Sequence, residues 1–301
     1  MQQVVEWIAA DWGTSNLRVW IVDQQGSVIA AHSSAKGMAA LTRDEFEPAL
    51  LELIEPYLSP ERCTPVLACG MVGAKQGWCE APYTAAPCQP GSLTGAANPD
   101  LTDKRITVKI LPGVKQNSPA DVMRGEETQI AGFLRDMPEY HGSLCLPGTH
   151  SKWVEVANGR IVSFATFMSG EMFALLGSHS VLRHAVEDGT WDRRAFVEAV
   201  GDSFTAPGAT TRALFSIRAS SLLHGVSPTH ARSRLSGLLL GVELHGAEHY
   251  WRDQNVHLIG DPSLCENYQV ALREVGKEAG IVSGEALVLS GLRSAFKELT
   301  A

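Results

Sequence analysis

No basic arm or basic stripe runs through the 301 residues, and the net charge is −8. Nucleic acid is therefore not expected as the main partner, because gripping a phosphate backbone takes clustered Lys and Arg. No apolar run reaches membrane-span length, and MQQVVEWIAADW carries no basic segment ahead of an apolar core. Neither a membrane partner nor a signal segment is predicted, and a cytoplasmic location is the expectation. The six cysteines form no CxxC pair and the ten histidines include no HExxH. Free thiols are expected rather than disulfides or zinc, and a metal would be held by oxygen. Neither GxxxxGK[ST] nor GxGxxG occurs, which removes the P-loop and the dinucleotide fingerprint from consideration.

What is present is an ordinary globular composition, 45% hydrophobic and 19% charged. That length and balance suit two domains of about 100 to 200 residues each. The segment VVEWIAADWGTSNLRVWIVDQQGSVIAAH reads as strand, turn, strand, turn, strand, an antiparallel meander. SLCLPGTHSKWVEVANGRIVSFATF repeats the plan, with Gly148-Thr149 matching Gly13-Thr14 and Gly159 matching Gly26. Two copies of one unit, each followed by helical pattern, predict a duplicated α/β architecture with a cleft between the halves.

Each copy places glycine and a hydroxyl residue at its turn. Glycine lets backbone approach a ligand closely, and successive turn N–H groups form a concave donor array suited to phosphate oxygens. Thr14, Ser15, Asn16, Thr149 and His150 are equally compatible with plain turn formation.

Between the copies, Arg43 to Leu58 reads as helix, PVLAC and ITVKILPGV as strands, and EETQIAGFLR as a helix with Ile130, Phe133 and Leu134 on one side. Beyond them, GEMFALLG, RRAFVEAV and THARSRLSGLLLGVELHGAEHYW read as helices. VHLIG reads as a strand, and PSLCENYQVALREVG as a helix opened by Pro262. EALVLSGLRSAF is predicted to close the chain as a short strand and helix. A boundary near 122/123 gives domains 1–122 and 123–301.

In this order the parts resemble the superfamily of sugar kinases, actin and heat-shock chaperone ATPases. ADWGTSNLR resembles its first phosphate loop, LPGTHSKW its second and LIGDPSLCENY its adenosine loop. MRGEETQIAGF is similar to the GDxxAA segment of the glycerol and xylulose kinase branch, and CGMVGAKQGWCEAPY to that branch's substrate loop. Together these segments resemble the 2-dehydro-3-deoxygalactonokinase family over nearly the whole chain. The chain departs from the wider branch in having glutamate at the catalytic-base position and Gly-Asp where the adenosine loop often has Gly-Gly.

The resemblance implies a duplicated actin-like, ribonuclease H-like fold with ATP in the cleft between the halves. It implies ATP phosphates at Gly13, Thr14, Ser15, Asn16, Gly148, Thr149 and His150, and adenosine at Gly260, Asp261 and Ser263. The sugar acid would meet Gly70, Met71, Trp78, Tyr83 and Arg124, Mg²⁺ would be held by Asp11, and Glu126 would be the base. Glu126 and Glu127 point roughly 100° apart on a helix, so only one can face a ligand, and the alignment selects Glu126. At a helix start both acids also suit the macrodipole. Arg124 could fork onto a substrate carboxylate or be merely structural. Without the resemblance, Met71, Trp78 and Tyr83 read as core.

The implied reaction is transfer of phosphate from Mg·ATP to the terminal 6-hydroxyl of 2-dehydro-3-deoxy-D-galactonate, in galactonate catabolism. The gluconate epimer, another sugar acid, a phosphate-anhydride hydrolase and a nucleotide-switched actin-like binding protein are the alternatives, and a homodimer is left open.

Overall fold

Two glycine turns are each framed by a five-stranded sheet of the same topology. The structure, a computed structural model, describes residues 4–187 and 191–300. The chain runs through β1 (Val5–Trp12), β2 (Leu17–Asp23), β3 (Val28–Ser34), α1 (Phe46–Ile54), β4 (Thr64–Gly70) and β5 (Tyr83–Ala85). It continues through β6 (Ile106–Ile110), β7 (Gly113–Asn117), β8 (Ala120–Met123) and α2 (Glu126–Asp136). Next come β9 (Gly142–Leu146), β10 (Ser151–Ala157), β11 (Arg160–Phe167), α3 (Ser169–His179), α4 (Arg193–Thr205), α5 (Thr210–His224) and α6 (Pro228–Gly246). The last elements are α7 (Glu248–Trp251), β12 (Val256–Gly260), α8 (Pro262–Glu274), β13 (Gly280–Ser283) and α9 (Gly284–Thr300).

The sheets have the orders β3-β2-β1-β4-β6 and β11-β10-β9-β12-β13, so the repeat read from the turns is a repeat of whole sheets. In both, an antiparallel pair carries the Gly-Thr turn, β1 with β2 and β9 with β10. In both, the first strand of that pair is extended by parallel strands, β4 and β6 in one and β12 and β13 in the other.

Close packing divides the chain into two units, Met1–Tyr140 with Ala157–Ser163 and Gly284–Ala301, and His141–Val156 with Phe164–Ser283. This partition differs from a single cut at 122/123, since α2 and α9 both belong with the first unit.

In the first unit β1 is buried on both faces, which explains its nearly unbroken apolar run. Ile8, Ala10 and Trp12 pack with Phe46 and Leu50 of α1, while Trp7 and Ala9 pack with Val288, Leu292 and Ala295 of α9. Helices α2 and α9 meet backbone against backbone. A Cβ on Gly132 would fall 2.0 Å from the Leu287 carbonyl oxygen, and one on Gly291 2.0 Å from that of Thr128. This contact seats the helix that begins at Glu126.

The second unit builds its core from Trp153, Phe196, Leu240, Trp251, Leu258 and Tyr268. Helices α4 and α6 approach through Gly237 and Gly241, whose Cβ positions would lie 2.3 Å and 2.4 Å from the carbonyl oxygens of Phe196 and Val200.

Two local readings change. ITVKILPGV is two strands of different sheets, broken at Leu111-Pro112, because proline cannot continue the ladder. EALVLSGLRSAF is helical throughout, and the strand before it is Gly280–Ser283.

Candidate active site

The first turn is closed by the Gly13 N–H donating to the Asn16 carbonyl at 2.9 Å. Its carbonyls are claimed from outside: Met38 N–H donates to Gly13 O at 3.0 Å and Ala39 N–H to Thr14 O at 2.9 Å. Gly37 makes this possible, since a Cβ there would lie 2.2 Å from the Ser15 carbonyl carbon. Thr14, Ser15 and Asn16 remain exposed. Together with Asp11, Gly13, Arg18 and Ser33 they line an open cavity of about 690 Å³.

Asp11, the last residue but one of β1, lies on the cavity wall. Its Oδ2 accepts from Arg18 Nη2 at 2.6 Å, and Cys69 Sγ lies 3.9 Å from Oδ1. Among the described residues no group of three or more His, Cys, Asp or Glu could hold a metal. A single carboxylate still fits Mg²⁺, which is commonly bound by one or two carboxylates together with nucleotide phosphates and water.

The predicted substrate loop follows β4. A Cβ on Gly70, whose φ is +90°, would stand 2.7 Å from Trp12 O and 3.5 Å from Asp11 Oδ1, so this loop begins beside the first turn's acid. A Cβ on Gly125 would in turn come within 3.4 Å of the Gly70 Cα, which brings the start of α2 to the same place. Arg124 is half-buried here. Its Nη2 donates to Ala81 O at 2.7 Å and its guanidinium carbon lies 4.4 Å from the centre of the Tyr83 ring, while Nε and Nη1 are buried without a hydrogen-bond partner. Met71 is half-buried at the loop start. Trp78 is only 8% exposed, stacked on Phe46 and set edge-on to Trp12. Its ring packs into the core beneath the loop.

The two acids at the start of α2 have opposite environments. Glu126 is half-buried and accepts the Arg124 N–H at 3.0 Å through Oε2. Glu127 is 1% exposed and accepts from Gly125 N at 2.6 Å and Thr128 Oγ1 at 3.0 Å. Burial, reinforced by the neighbouring Glu126 charge, pushes the Glu127 carboxyl up to about 7.

In the second unit, Gly170 does for the second turn what Gly37 does for the first. A Cβ on Gly170 would lie 2.3 Å from Gly148 O, and Glu171 N–H donates to Thr149 O at 2.9 Å. Thr149 and His150 are exposed, and the His150 ring nitrogen Nε2 pairs with Glu171 Oε2 at 2.6 Å. Lys152, which pairs with Leu146 of β9 as Arg18 pairs with Asp11 of β1, is buried and donates to Thr166 Oγ1 at 2.9 Å.

Gly260 ends β12 with its Cβ position 3.6 Å from Pro147 O, next to the second turn. Asp261 and Ser263 serve the helix itself. Asp261 Oδ1 accepts from Leu264 N at 3.0 Å and from Ser263 Oγ at 2.6 Å, an N-cap that holds its carboxyl below the ordinary aspartate value. The open space lies one turn further along α8. Gly148, Gly170, Phe173, Ser236, Leu264, Asn267 and Tyr268 line a cavity of about 80 Å³. Phe173, Ser236, Leu264 and Asn267 also line an adjoining one of about 270 Å³ together with Trp191 and Arg232. Phe173, Ser236 and Asn267 were not singled out by sequence; only the position of Asn267 near the end of the adenosine-loop motif LIGDPSLCENY hinted at it.

The family model for 2-keto-3-deoxy-galactonokinase matches residues 11–295. A probable 2-dehydro-3-deoxygalactonokinase of Rhizobium meliloti (strain 1021) is 37% identical over 97% of this chain and 96% of its own. The 2-dehydro-3-deoxygalactonokinase of Escherichia coli (strain K12) is 32% identical over 96% of each chain. A crystal structure from Sinorhizobium meliloti assigned to the same activity superposes with a TM-score of 0.88 at 37% identity, covering 97% of this chain and 96% of that one. The duplicated sheets are thus those of a two-domain actin-like sugar kinase, and the chain belongs to the 2-keto-3-deoxy-galactonokinase family.

Proposed function

We propose that this protein transfers the γ-phosphoryl group of ATP to the terminal 6-hydroxyl of 2-dehydro-3-deoxy-D-galactonate, giving the 6-phosphate and ADP. The observation that carries the reading is the pairing of opposite chemistries at the start of α2. Arg124 offers buried guanidinium nitrogens without partners, and Glu126, two residues on, offers a reachable carboxylate. A sugar acid needs a cation for its carboxylate and a proton acceptor for its hydroxyl.

Arg124, set over the Tyr83 ring and anchored by Ala81 O, binds the substrate carboxylate. Glu126 accepts the hydroxyl proton as the bond to phosphorus forms, and Gly70 and Met71 border the sugar. Gly13, Thr14, Ser15 and Asn16 in the first unit, and Gly148, Thr149 and His150 in the second, donate to the ATP phosphates. The nucleoside occupies the cavities beside α8, with Gly260, Asp261 and Ser263 shaping the start of that helix. Asp11 would hold Mg²⁺ together with the nucleotide, and the ion would supply charge neutralisation at the phosphates.

The test is substrate-dependent ADP release over a panel of sugar acids, including the gluconate epimer, and their neutral analogues. The galactonate-derived acid should be preferred, and Arg124→Met should raise its KM far more than that for ATP. Comparable turnover of an acid and its neutral analogue would overturn the assignment of Arg124.

A further inference from the structure

Beside the second turn lies a carboxylate that no step above uses. Glu243, on α6, is 1% exposed. Its Oε1 accepts the Trp153 indole N–H at 2.9 Å and its Oε2 the Tyr268 hydroxyl at 3.0 Å. The hydroxyls of Ser151 and Ser169 also lie close enough to favour its charged form, and Ser151 Oγ lies 2.6 Å from Tyr268 Oη.

A buried carboxylate is expensive to desolvate, and a well-packed apolar side chain in its place is often neutral or stabilising. Its partners point to what this one does. Ser151 stands two residues after Thr149 on β10. Ser169 immediately precedes Gly170, the glycine that rests on Gly148. Tyr268 lines the smaller cavity and follows Asn267, which lines both. One side chain therefore joins β10, α3, α6 and α8, the elements that frame the turn and the cavities. A fully satisfied buried network of this kind fixes geometry more than it adds stability.

We infer that Glu243 is a positioning residue for the nucleotide: through Tyr268, Ser151 and Ser169 it fixes the Gly148-Thr149 turn relative to the α8 wall, so that phosphate and nucleoside are held at one spacing. The inference rests on the reading that the cavities beside α8 receive the nucleoside.

The experiment compares the full chain with Glu243→Gln, Tyr268→Phe and Ser236→Trp, by steady-state kinetics in each substrate and by ADP titration calorimetry. Glutamine keeps the size but cannot accept through both ends, and phenylalanine removes only the hydroxyl. KM for ATP and Kd for ADP should rise about tenfold in both variants, the effect of one buried hydrogen bond left unmade. KM for the sugar acid should stay within about twofold, because no interaction with that substrate is removed. A purely structural role would lower Tm and leave KM for ATP and ADP affinity native in the folded enzyme, and that result overturns the proposal. Tyr268→Phe decides the matter if Glu243→Gln does not fold. Ser236→Trp fills the cavities. Lost ADP binding there, with native values in the other two variants, sinks the positioning role alone, whereas native ADP binding in Ser236→Trp removes the nucleoside reading and the inference with it.

Discussion

Glu127 reaches back over its neighbour to accept the Gly125 N–H at 2.6 Å, so the residue between them, Glu126, is presented by a fixed helix start. Gly125 has φ +104°, a conformation that side chains other than glycine rarely adopt, and the bond holds it there. One acid of the pair is thereby buried in the helix start, and the other, half-buried, is the one to which the proposed function gives the proton.

Glu126→Gln should keep ATP binding and lose turnover by roughly 10² to 10⁴, the usual contribution of a positioned general base. Glu127→Gln should lose much less, because the amide oxygen can still accept from Gly125. Single-turnover rates of the two variants check this, and equal rates, or a slower Glu127→Gln, would move the base to Glu127.

Gly148 and Gly170 separate ligand approach from packing. A Cβ on Gly148 meets nothing within 4 Å, whereas one on Gly170 would strike Gly148 O at 2.3 Å. Gly148→Ala should therefore keep the native Tm and raise KM for ATP, while Gly170→Ala should lower both Tm and activity. Gly208→Ala, in the short connection between α4 and α5 with nothing within 4 Å, is the neutral control. Native ATP kinetics in Gly148→Ala would remove the second turn from phosphate binding.

The two Gly-Thr turns, the meanders and the acidic start of α2 were legible because each is written in consecutive residues. Gly37 and Gly170 were not, although they shape the turns. Each acts on backbone more than twenty residues away in the chain, and an isolated glycine carries no signal of what it touches. The pocket residues Phe173, Ser236 and Asn267 come from three separate helices and converge only on folding. Trp78 sat within a recognisable loop motif, yet its ring turns inward onto Phe46 and Trp12, a choice made by core packing. The membership of α9 in the first unit rests on Gly132 and Gly291, a pairing visible only once the helices meet.

Glu127 and Glu243 should make stability depend on pH in an unusual direction. Burial raises each carboxyl from the ordinary 4.5 to about 7. Between those values the folded chain holds protons that the unfolded chain has released, so stability falls as pH rises through the window and is unaffected by these groups below it. Thermal melts from about pH 4.5 to about pH 8 should show the fall, and Glu127→Gln and Glu243→Gln should each flatten it. Identical slopes in the native protein and both variants would contradict the burial account.

Asp11→Asn replaces a hard anionic ligand with a neutral amide and removes the charge from the 2.6 Å partner of Arg18. Turnover should fall and the magnesium concentration for half-maximal activity should rise. Normal turnover with unchanged magnesium dependence would remove Asp11 from the metal site.

Phosphorus NMR of the purified chain with Mg·ATP and 2-dehydro-3-deoxy-D-galactonate tests the central claim most directly. The account predicts ADP and a new phosphate monoester coupled to the methylene protons of C6, formed only when the sugar acid is present. Inorganic phosphate in place of the monoester, or no consumption of ATP on adding the acid, would contradict it.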